Sequence, residues 1–134
     1  DNPPDGVFFD RTEAGLIRLN FGAFGLATLK AHQQSAAALA TVGMDVILDE
    51  VILSKDLWDH WQIVLADVDV FWVGVHCDLE ELERREVARG ERVHGQARGQ
   101  YDIVHKHATY DLTVDTTQQT SETCAGLICD ALQK

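Results

Sequence analysis

The segment Asp69-Val70-Phe71-Trp72-Val73-Gly74-Val75-His76 decides the fold class of this chain. It is a short apolar run, and such a run is typical of a strand buried on both faces of a parallel sheet. Asp78 follows it, and Glu81 lies three residues later, which is the spacing of a helix capping box. The segment therefore predicts a buried parallel strand that leads directly into a helix.

Two other segments predict strands of the same sheet. Val46-Ile47-Leu48-Asp49-Glu50-Val51-Ile52 is apolar except for two carboxylates, and it is too short and too β-branched for a helix. The stretch from Tyr110 to Asp115 alternates in polarity. Because strands alternate with helices, we expect an α/β fold with a parallel sheet and right-handed crossovers. Functional residues of such sheets gather at the carboxyl ends of the strands.

Helical patterns separate and follow these strands. A helix is expected from about Ser54 to Leu65, and another from Asp78 to about Gly90. A closing helix is capped by Thr120 or Ser121. Between them, residues 90–100 contain three glycines and predict a mobile loop over a site. The apolar faces comprise Leu57, Trp58, Trp61 and Leu65 in the first helix, and Ala125, Ile128, Cys129 and Leu132 in the last.

The first 45 residues predict a β-hairpin followed by a helix. Val7–Phe9 and Leu16–Leu19 flank a turn-forming stretch at residues 12–15. Residues 24–42 are rich in Ala, Leu and Gln, which favour helix, and Gly43 follows as a terminator. The chain opens with a loop-like composition and no Met. We therefore expect that a preceding segment is missing.

The composition excludes several classes of protein. The 134 residues are 46% hydrophobic and 25% charged, which is ordinary for one soluble domain. A net charge of −11 argues against nucleic acid or an anionic membrane as a partner. No apolar run is long enough to span a bilayer, and no secretory signal is visible. The three cysteines have neither disulfide-framework nor zinc-site spacing, so free thiols in a reducing cytoplasm are expected.

The basic residues are unevenly distributed. Five of the eleven Lys and Arg residues lie within fifteen positions. This cluster has two interpretations: a site for a small anion, or a solvated helix face with intrahelical pairs such as Glu81 with Arg85. The sequence leaves both open. The five are Arg84, Arg85, Arg89, Arg92 and Arg98.

Three groups of residues together resemble the chloramphenicol phosphotransferase family of small P-loop kinases. None of the motifs is specific alone, but their order and spacing match over residues 46–132, and more weakly over residues 6–45. The groups are Val46 to Val51, then Trp72 to Asp78 with Arg85 to Val93, and finally Val104-His105, Tyr110-Asp111 and Val114 to Thr117.

The resemblance implies a P-loop kinase-like fold with a five-stranded parallel core. It implies transfer of the γ-phosphoryl group of ATP, with Mg²⁺, to a hydroxyl of chloramphenicol or a similar small molecule. The phosphate-binding pattern Gly-x-x-x-x-Gly-Lys-[Ser/Thr] does not occur in this sequence. We expect that loop and the general base to precede Asp1, on missing N-terminal strands. The chain alone should then bind ATP weakly or not at all.

The same resemblance implies one domain with two sides. Residues 1–45 form the acceptor side, and residues 46–134 form the nucleotide side. The first missing strand is expected to lie centrally, between the strands predicted at residues 46 and 69. The alternative is a non-catalytic or split fragment that binds a partner chain supplying that strand. A homo-oligomer is a further possibility.

The family implies roles for residues at the strand ends. Asp49 would hold Mg²⁺, the alternative being a helix-capping carboxylate. Asp115, Thr116 and Thr117 would form the adenine pocket, the alternative being a plain strand-to-helix turn. His105 would orient a neighbouring group, the alternative being a structural histidine.

Arginines and aromatic residues complete the implied site. Arg85, Arg89 and Arg92 resemble the family's lid arginines, which stabilise charge on the transferred phosphoryl group. Of these, Arg89 and Arg92 would also contact the nucleotide, whereas Arg84 and Arg98 are assigned to the surface. A further set would line an apolar acceptor pocket or belong to the core: Phe8, Phe21 and Phe24.

Overall fold

A computed structural model describes residues 4–90 and 93–133 of the chain. It begins with an antiparallel hairpin, as the sequence predicts. Strand β1 (Val7–Arg11) pairs with β2 (Ile17–Phe21), with Phe9 opposite Leu19. In the turn, Gly15 adopts φ +79°, a left-handed conformation that glycine tolerates without a steric penalty.

Two packed helices form the main core. Helix α1 (Ala23–Thr41) contacts α2 (Lys55–Val64), whose N-terminus is capped by Ser54 Oγ accepting from Leu57 N at 3.3 Å. Leu57 and Trp61 are 1% and 2% exposed, which confirms the predicted buried face of α2. Full burial of a side chain such as Leu57 contributes about 1.5–3 kcal/mol. The half-buried Trp72 packs beside this core, with its ring centroid 4.6 Å from that of Trp58.

The predicted strand at residues 46–52 is wrong. No strand is formed there, and Ile47 is 98% exposed. A strand needs a neighbour for its backbone N–H and C=O groups. Among the described residues, no strand pairs with this segment. An apolar, β-branched composition alone does not supply that partner.

The parallel pairing predicted for the two later strands is confirmed. Strand β3 (Val73–His76) pairs with β4 (Leu112–Asp115) in parallel, with Val75 opposite Val114 and His76 opposite Asp115. β3 is shorter than the predicted 69–76 because its pairing begins only at Val73. Gly74 faces the ring of Tyr110, where an added Cβ would lie 2.6 Å from Cδ2.

Helices follow both parallel strands. Helix α3 (Leu79–Arg89) ends at Gly90, as predicted, in a left-handed conformation. The capping box expected at Asp78 is wrong, because the Asp78 side chain makes no cap hydrogen bond and Glu81 binds arginines instead.

The stretch predicted as a mobile loop contains a short helix, so that prediction is wrong in part. Helix α4 (Gln96–Gln100) packs on β2, and Gly99 lies against the main chain of Ile17. The carboxylate of Glu86 accepts from Gly95 N at 2.7 Å and Ala97 N at 2.9 Å. Burial acts to raise the pKa of Glu86, but these backbone hydrogen bonds outweigh it and lower the pKa. A half-buried carboxylate thus organises the start of α4.

Helix α5 (Ser121–Leu132) closes the described chain. Its cap is Thr120, whose Oγ1 accepts from Thr123 N at 3.2 Å, one of the two predicted caps. The predicted apolar face is wrong, since Cys124 is the buried residue and Leu132 is 59% exposed. Within the described ranges the main contact of α5 is with β4, a strand of four residues, which cannot cover a whole helix face. None of the helices in the described ranges combines the length and apolarity that crossing a membrane requires.

Candidate functional site

A groove opens at the carboxyl ends of β3 and β4. Its volume is about 500 Å³, and its walls come from the β3 end, α3, α4 and residues 104–105. Apolar side chains such as Leu82 and Val104 line it beside polar groups from His76, Asp78 and Asp115. An apolar cavity with a few convergent polar groups at this edge of a parallel sheet is the usual position of a ligand site.

The turn after β4 is held firmly to the end of β3. Thr116 donates to the His76 carbonyl through its backbone N–H, at 2.8 Å, and through Oγ1, at 3.1 Å. Thr117 Oγ1 accepts from Asp78 N at 2.8 Å. The turn Asp115–Thr117 therefore joins both strand ends, as the strand-end prediction requires.

Within this turn, Asp115 is held as a carboxylate. Its Oδ1 accepts from Thr117 N at 2.8 Å. Hydrogen bonds from the Thr117 side chain and backbone, with the nearby His76, lower the pKa of Asp115. The sequence-predicted nucleotide residues Asp115, Thr116 and Thr117 are thus one connected unit. Their contact with a base stays a prediction.

Arg85 connects α3 to the same turn. Its guanidinium donates to the Thr116 carbonyl at 2.5 Å, to Thr116 Oγ1 at 3.2 Å, and to Glu81 Oε1 at 2.7 Å. Glu81 also accepts from Arg84. The hydrogen bonds from Arg84 and Arg85 lower the pKa of Glu81 to about 2. The intrahelical pair of Glu81 with Arg85 that the second interpretation names is formed, and Arg85 also reaches the strand ends. The small-anion site stays a prediction.

Arg89 and Arg98, two further arginines of the cluster, make no hydrogen bond to the turn Asp115–Thr117 in the described part of the chain. Arg89 is exposed at the last turn of α3, and Arg92 lies outside the described residues. Arg98 pairs with Glu83 at 2.6 Å, in agreement with its assignment to the surface. Of the predicted lid arginines that lie within the described residues, Arg85 reaches the strand ends and Arg89 does not, and the phosphate-contacting roles stay predictions.

A histidine pair lines the groove, and the sequence reasoning assigned His76 no role. The ring of His105 stacks on that of His76, with centroids 4.0 Å apart, and its Nδ1 lies 2.7 Å from Tyr110 Oη. Burial, reinforced by the charge of His76, lowers the pKa of His105. Burial raises the pKa of Tyr110. The only signal in the sequence was the position of His76 at a strand end.

The predicted metal ligand Asp49 is exposed and does not end a strand. Its neighbour Glu50 is more enclosed: Oε2 accepts from Trp61 Nε1 at 2.5 Å, and Oε1 is buried without a partner among the described residues. No cluster of three or more metal-ligating side chains occurs within the described ranges. Mg²⁺ in phosphotransferases uses one or two carboxylates plus substrate phosphates, so a single carboxylate such as Asp49 is compatible with it.

The three phenylalanines predicted for an acceptor pocket are not gathered together. Val7 pairs with Phe21, so Phe8, one residue along, points to the opposite face of the hairpin. Phe24 is 67% exposed on the first turn of α1. Their acceptor role stays a prediction.

Fold and site together define an α/β protein with a groove, the candidate ligand site, at the ends of parallel strands. The family model of chloramphenicol phosphotransferase-like proteins matches residues 14–133. The chain therefore belongs to the chloramphenicol phosphotransferase-like family, which has a P-loop kinase-like fold, as the resemblance implied.

Two curated relatives are similar to part of the chain. Both come from Mycobacterium tuberculosis, from the strains CDC 1551 / Oshkosh and ATCC 25618 / H37Rv, and both are provisionally named O-phosphotransferases. Each is 41% identical over 75 residues, which is 56% of this chain and 33% of the relative. The chain thus spans about a third of the length of these relatives in the matched region. The family description and the names of both relatives refer to phosphotransfer.

Proposed function

We propose that this protein transfers the γ-phosphoryl group of ATP to a hydroxyl of a small molecule. The observation that carries the proposal is the family match over residues 14–133. The groove at the carboxyl ends of β3 and β4 supports it, because ligands of parallel α/β sheets bind at that edge. Chloramphenicol or a similar antibiotic is the proposed acceptor class, and a reducing cytoplasm is the proposed location.

The turn Asp115–Thr117 is the proposed contact for the adenine base. It offers hydroxyl and backbone groups beside the groove, and the hydrogen bonds to His76 and Asp78 fix its position. A fixed polar turn is suited to orient a base because little freedom is lost on binding. Asp49 is the proposed Mg²⁺ contact, and Arg89 and Arg92 are the proposed phosphate contacts.

When bound, Mg²⁺ would neutralise charge on the phosphates of ATP. The chain's own residues would orient the nucleotide and exclude water. Leu82 and Val104 provide apolar walls, and Asp78 and Asp115 keep acceptor oxygens at the end of the groove.

The test is acceptor-dependent turnover by the full natural protein. Purified protein is mixed with ATP, Mg²⁺ and a panel of hydroxyl-bearing antibiotics that includes chloramphenicol. ADP release and the mass of the phosphorylated acceptor are measured. We expect both with at least one acceptor, and neither with the matched analogue that lacks the hydroxyl. ADP release that no acceptor changes, or no nucleotide binding, would contradict the proposal.

A second candidate function is an interaction module that pairs with another chain. It is favoured by exposed apolar side chains, namely Ile47 at 98% and Val75 at 54%, the latter in the middle of β3. Among the described residues β3 pairs on one edge, with β4, so a partner strand could add to its other edge. A stable complex detected by light scattering, together with no turnover of any acceptor, would favour this alternative.

A further inference from the structure

Arg85 is held by hydrogen bonds both within α3 and to the turn Asp115–Thr117. From α3 its Nε donates to Glu81, and its two terminal nitrogens donate to the carbonyl and hydroxyl of Thr116. The planar guanidinium holds its donors in a rigid arrangement, so these contacts fix its orientation. The positive charge of Arg85 therefore already lies beside protein acceptors, namely the Glu81 carboxylate and the Thr116 carbonyl.

Arg84 provides an internal comparison. It donates to the same Glu81 at 2.7 Å, but its side chain is 68% exposed, against 36% for Arg85. Among the described residues, Arg84 makes no hydrogen bond to the turn Asp115–Thr117. The two neighbours therefore share one partner and differ in whether they reach the end of β4.

The hydrogen bonds of Arg85 continue into β3. Thr116 Oγ1 accepts from Arg85 and donates to the His76 carbonyl, to which the Thr116 backbone N–H also donates. Arg85 thereby links α3, the end of β3 and the end of β4. Loss of the charged Arg85 donor would leave the Thr116 carbonyl without this hydrogen bond and would loosen the turn.

We propose that Arg85 is a positioning residue, which holds the turn Asp115–Thr117 in the conformation that receives the nucleotide, and does not itself contact the phosphates. This rests on the proposed function for the identity of the ligand. Its physical consequence is specific. A residue that shapes the base-binding turn affects ground-state and transition-state binding equally, so its loss raises KM for ATP and leaves kcat nearly unchanged. A phosphate contact in the transition state would lower kcat instead.

The experiment compares Arg85→Lys with Arg84→Lys in the full natural protein. Lysine keeps the charge but cannot make the same forked set of hydrogen bonds. We expect KM for ATP to rise about tenfold in Arg85→Lys, as for loss of one charge-assisted hydrogen bond. In Arg84→Lys it should stay as in the wild type. Thr116→Val, which removes only the hydroxyl, should raise KM less than Arg85→Lys does.

A second measurement does not depend on activity. Amide hydrogen exchange at Thr116 and Thr117, followed by NMR, should be faster in Arg85→Lys and unchanged in Arg84→Lys. Equal exchange in the two variants would overturn the positioning role, and so would a fall in kcat at constant KM. If the wild type turns over no acceptor while exchange still separates the variants, the proposed function fails and the role of Arg85 in fixing the turn is supported.

Discussion

The imidazole of His105 stacks on that of His76 with the ring planes inclined by 25° and the centroids 4.0 Å apart. Two protonated imidazoles at this distance would repel each other, and both side chains are half-buried. Tyr110 fixes His105 by a hydrogen bond to Nδ1, and Asp78 and Asp115 line the same groove. The pair therefore favours the neutral form of His105.

Protonation of His105 should destabilise the protein. Burial, with the charge of His76, lowers the pKa of His105 below its ordinary value of 6.5. The unfolded chain therefore binds a proton first as pH falls, so the free energy of unfolding decreases below about pH 6.5 until the folded-state pKa is reached. Urea denaturation at several pH values should show a shallower decrease in His105→Gln. The control His32→Gln alters an exposed residue of α1 and should keep the wild-type slope. Equal slopes in all three proteins would contradict the prediction.

The packing of α4 on β2 should depend on Gly99. A Cβ at this position would overlap the main-chain carbonyl oxygen of Ile17 and lie 2.6 Å from its carbon. Because moving backbone atoms aside costs free energy, Gly99→Ala should reduce the free energy of unfolding by about 1–3 kcal/mol or more. Gly126→Ala is the matched control, since its Cβ would enter open space on α5. That variant should gain about 0.5–1 kcal/mol from helix propensity. Thermal unfolding measures both, and similar changes in the two variants would show that α4 does not pack as described.

Local patterns were sufficient for the elements whose stability is local. Helix α2 was predicted from Ser54 and the spacing of Leu57 and Trp61, because one cap and one apolar face explain most of it. The parallel pairing of β3 and β4 followed from alternation of strands with helices. The strand expected at residues 46–52 was wrong because strand formation depends on a distant partner, which composition does not reveal.

The parts of the site that sequence reasoning missed depend on contacts between distant residues. His76 and His105 are 29 positions apart in the sequence, yet they stack because β3 and residues 104–105 meet at the groove. Helix α4 forms where Glu86 accepts from its first backbone N–H groups, a contact that no helical period encodes. The turn Asp115–Thr117 was predictable because strand ends converge in every parallel sheet.

The hydrogen bond between Trp61 and Glu50 should be important for the core. Trp61 is 2% exposed, and its Nε1 is the donor to Glu50 Oε2. Trp61→Phe keeps an aromatic ring but leaves the enclosed carboxylate without this donor, which should cost about 1–3 kcal/mol of unfolding free energy. Trp58→Phe is the control, because Trp58 is half-buried and its indole N–H makes no hydrogen bond within the described ranges. Urea denaturation compares them. The double variant Trp61→Phe with Glu50→Leu should recover part of the loss, and no recovery would mean that lost volume, not the carboxylate, sets the cost.

Replacement of Asp49 should affect activity rather than folding. Asp49 is exposed and belongs to the irregular segment before α2, so Asp49→Asn should leave the unfolding midpoint unchanged. If it contacts Mg²⁺ in the phosphotransfer reaction proposed above, the loss of charge stabilisation worth several kcal/mol should lower kcat by about 10²-fold or more.

Asp45→Asn removes an equally exposed carboxylate four residues earlier and should retain full activity. The measurement is acceptor-dependent ADP release over a range of Mg²⁺ concentrations. Because a weakened metal site is partly refilled at high metal concentration, the defect of Asp49→Asn should shrink as Mg²⁺ rises. A defect independent of Mg²⁺, or one shared with Asp45→Asn, would remove Asp49 from the proposed metal site and direct attention to Glu50, whose Oε1 is buried without a partner among the described residues.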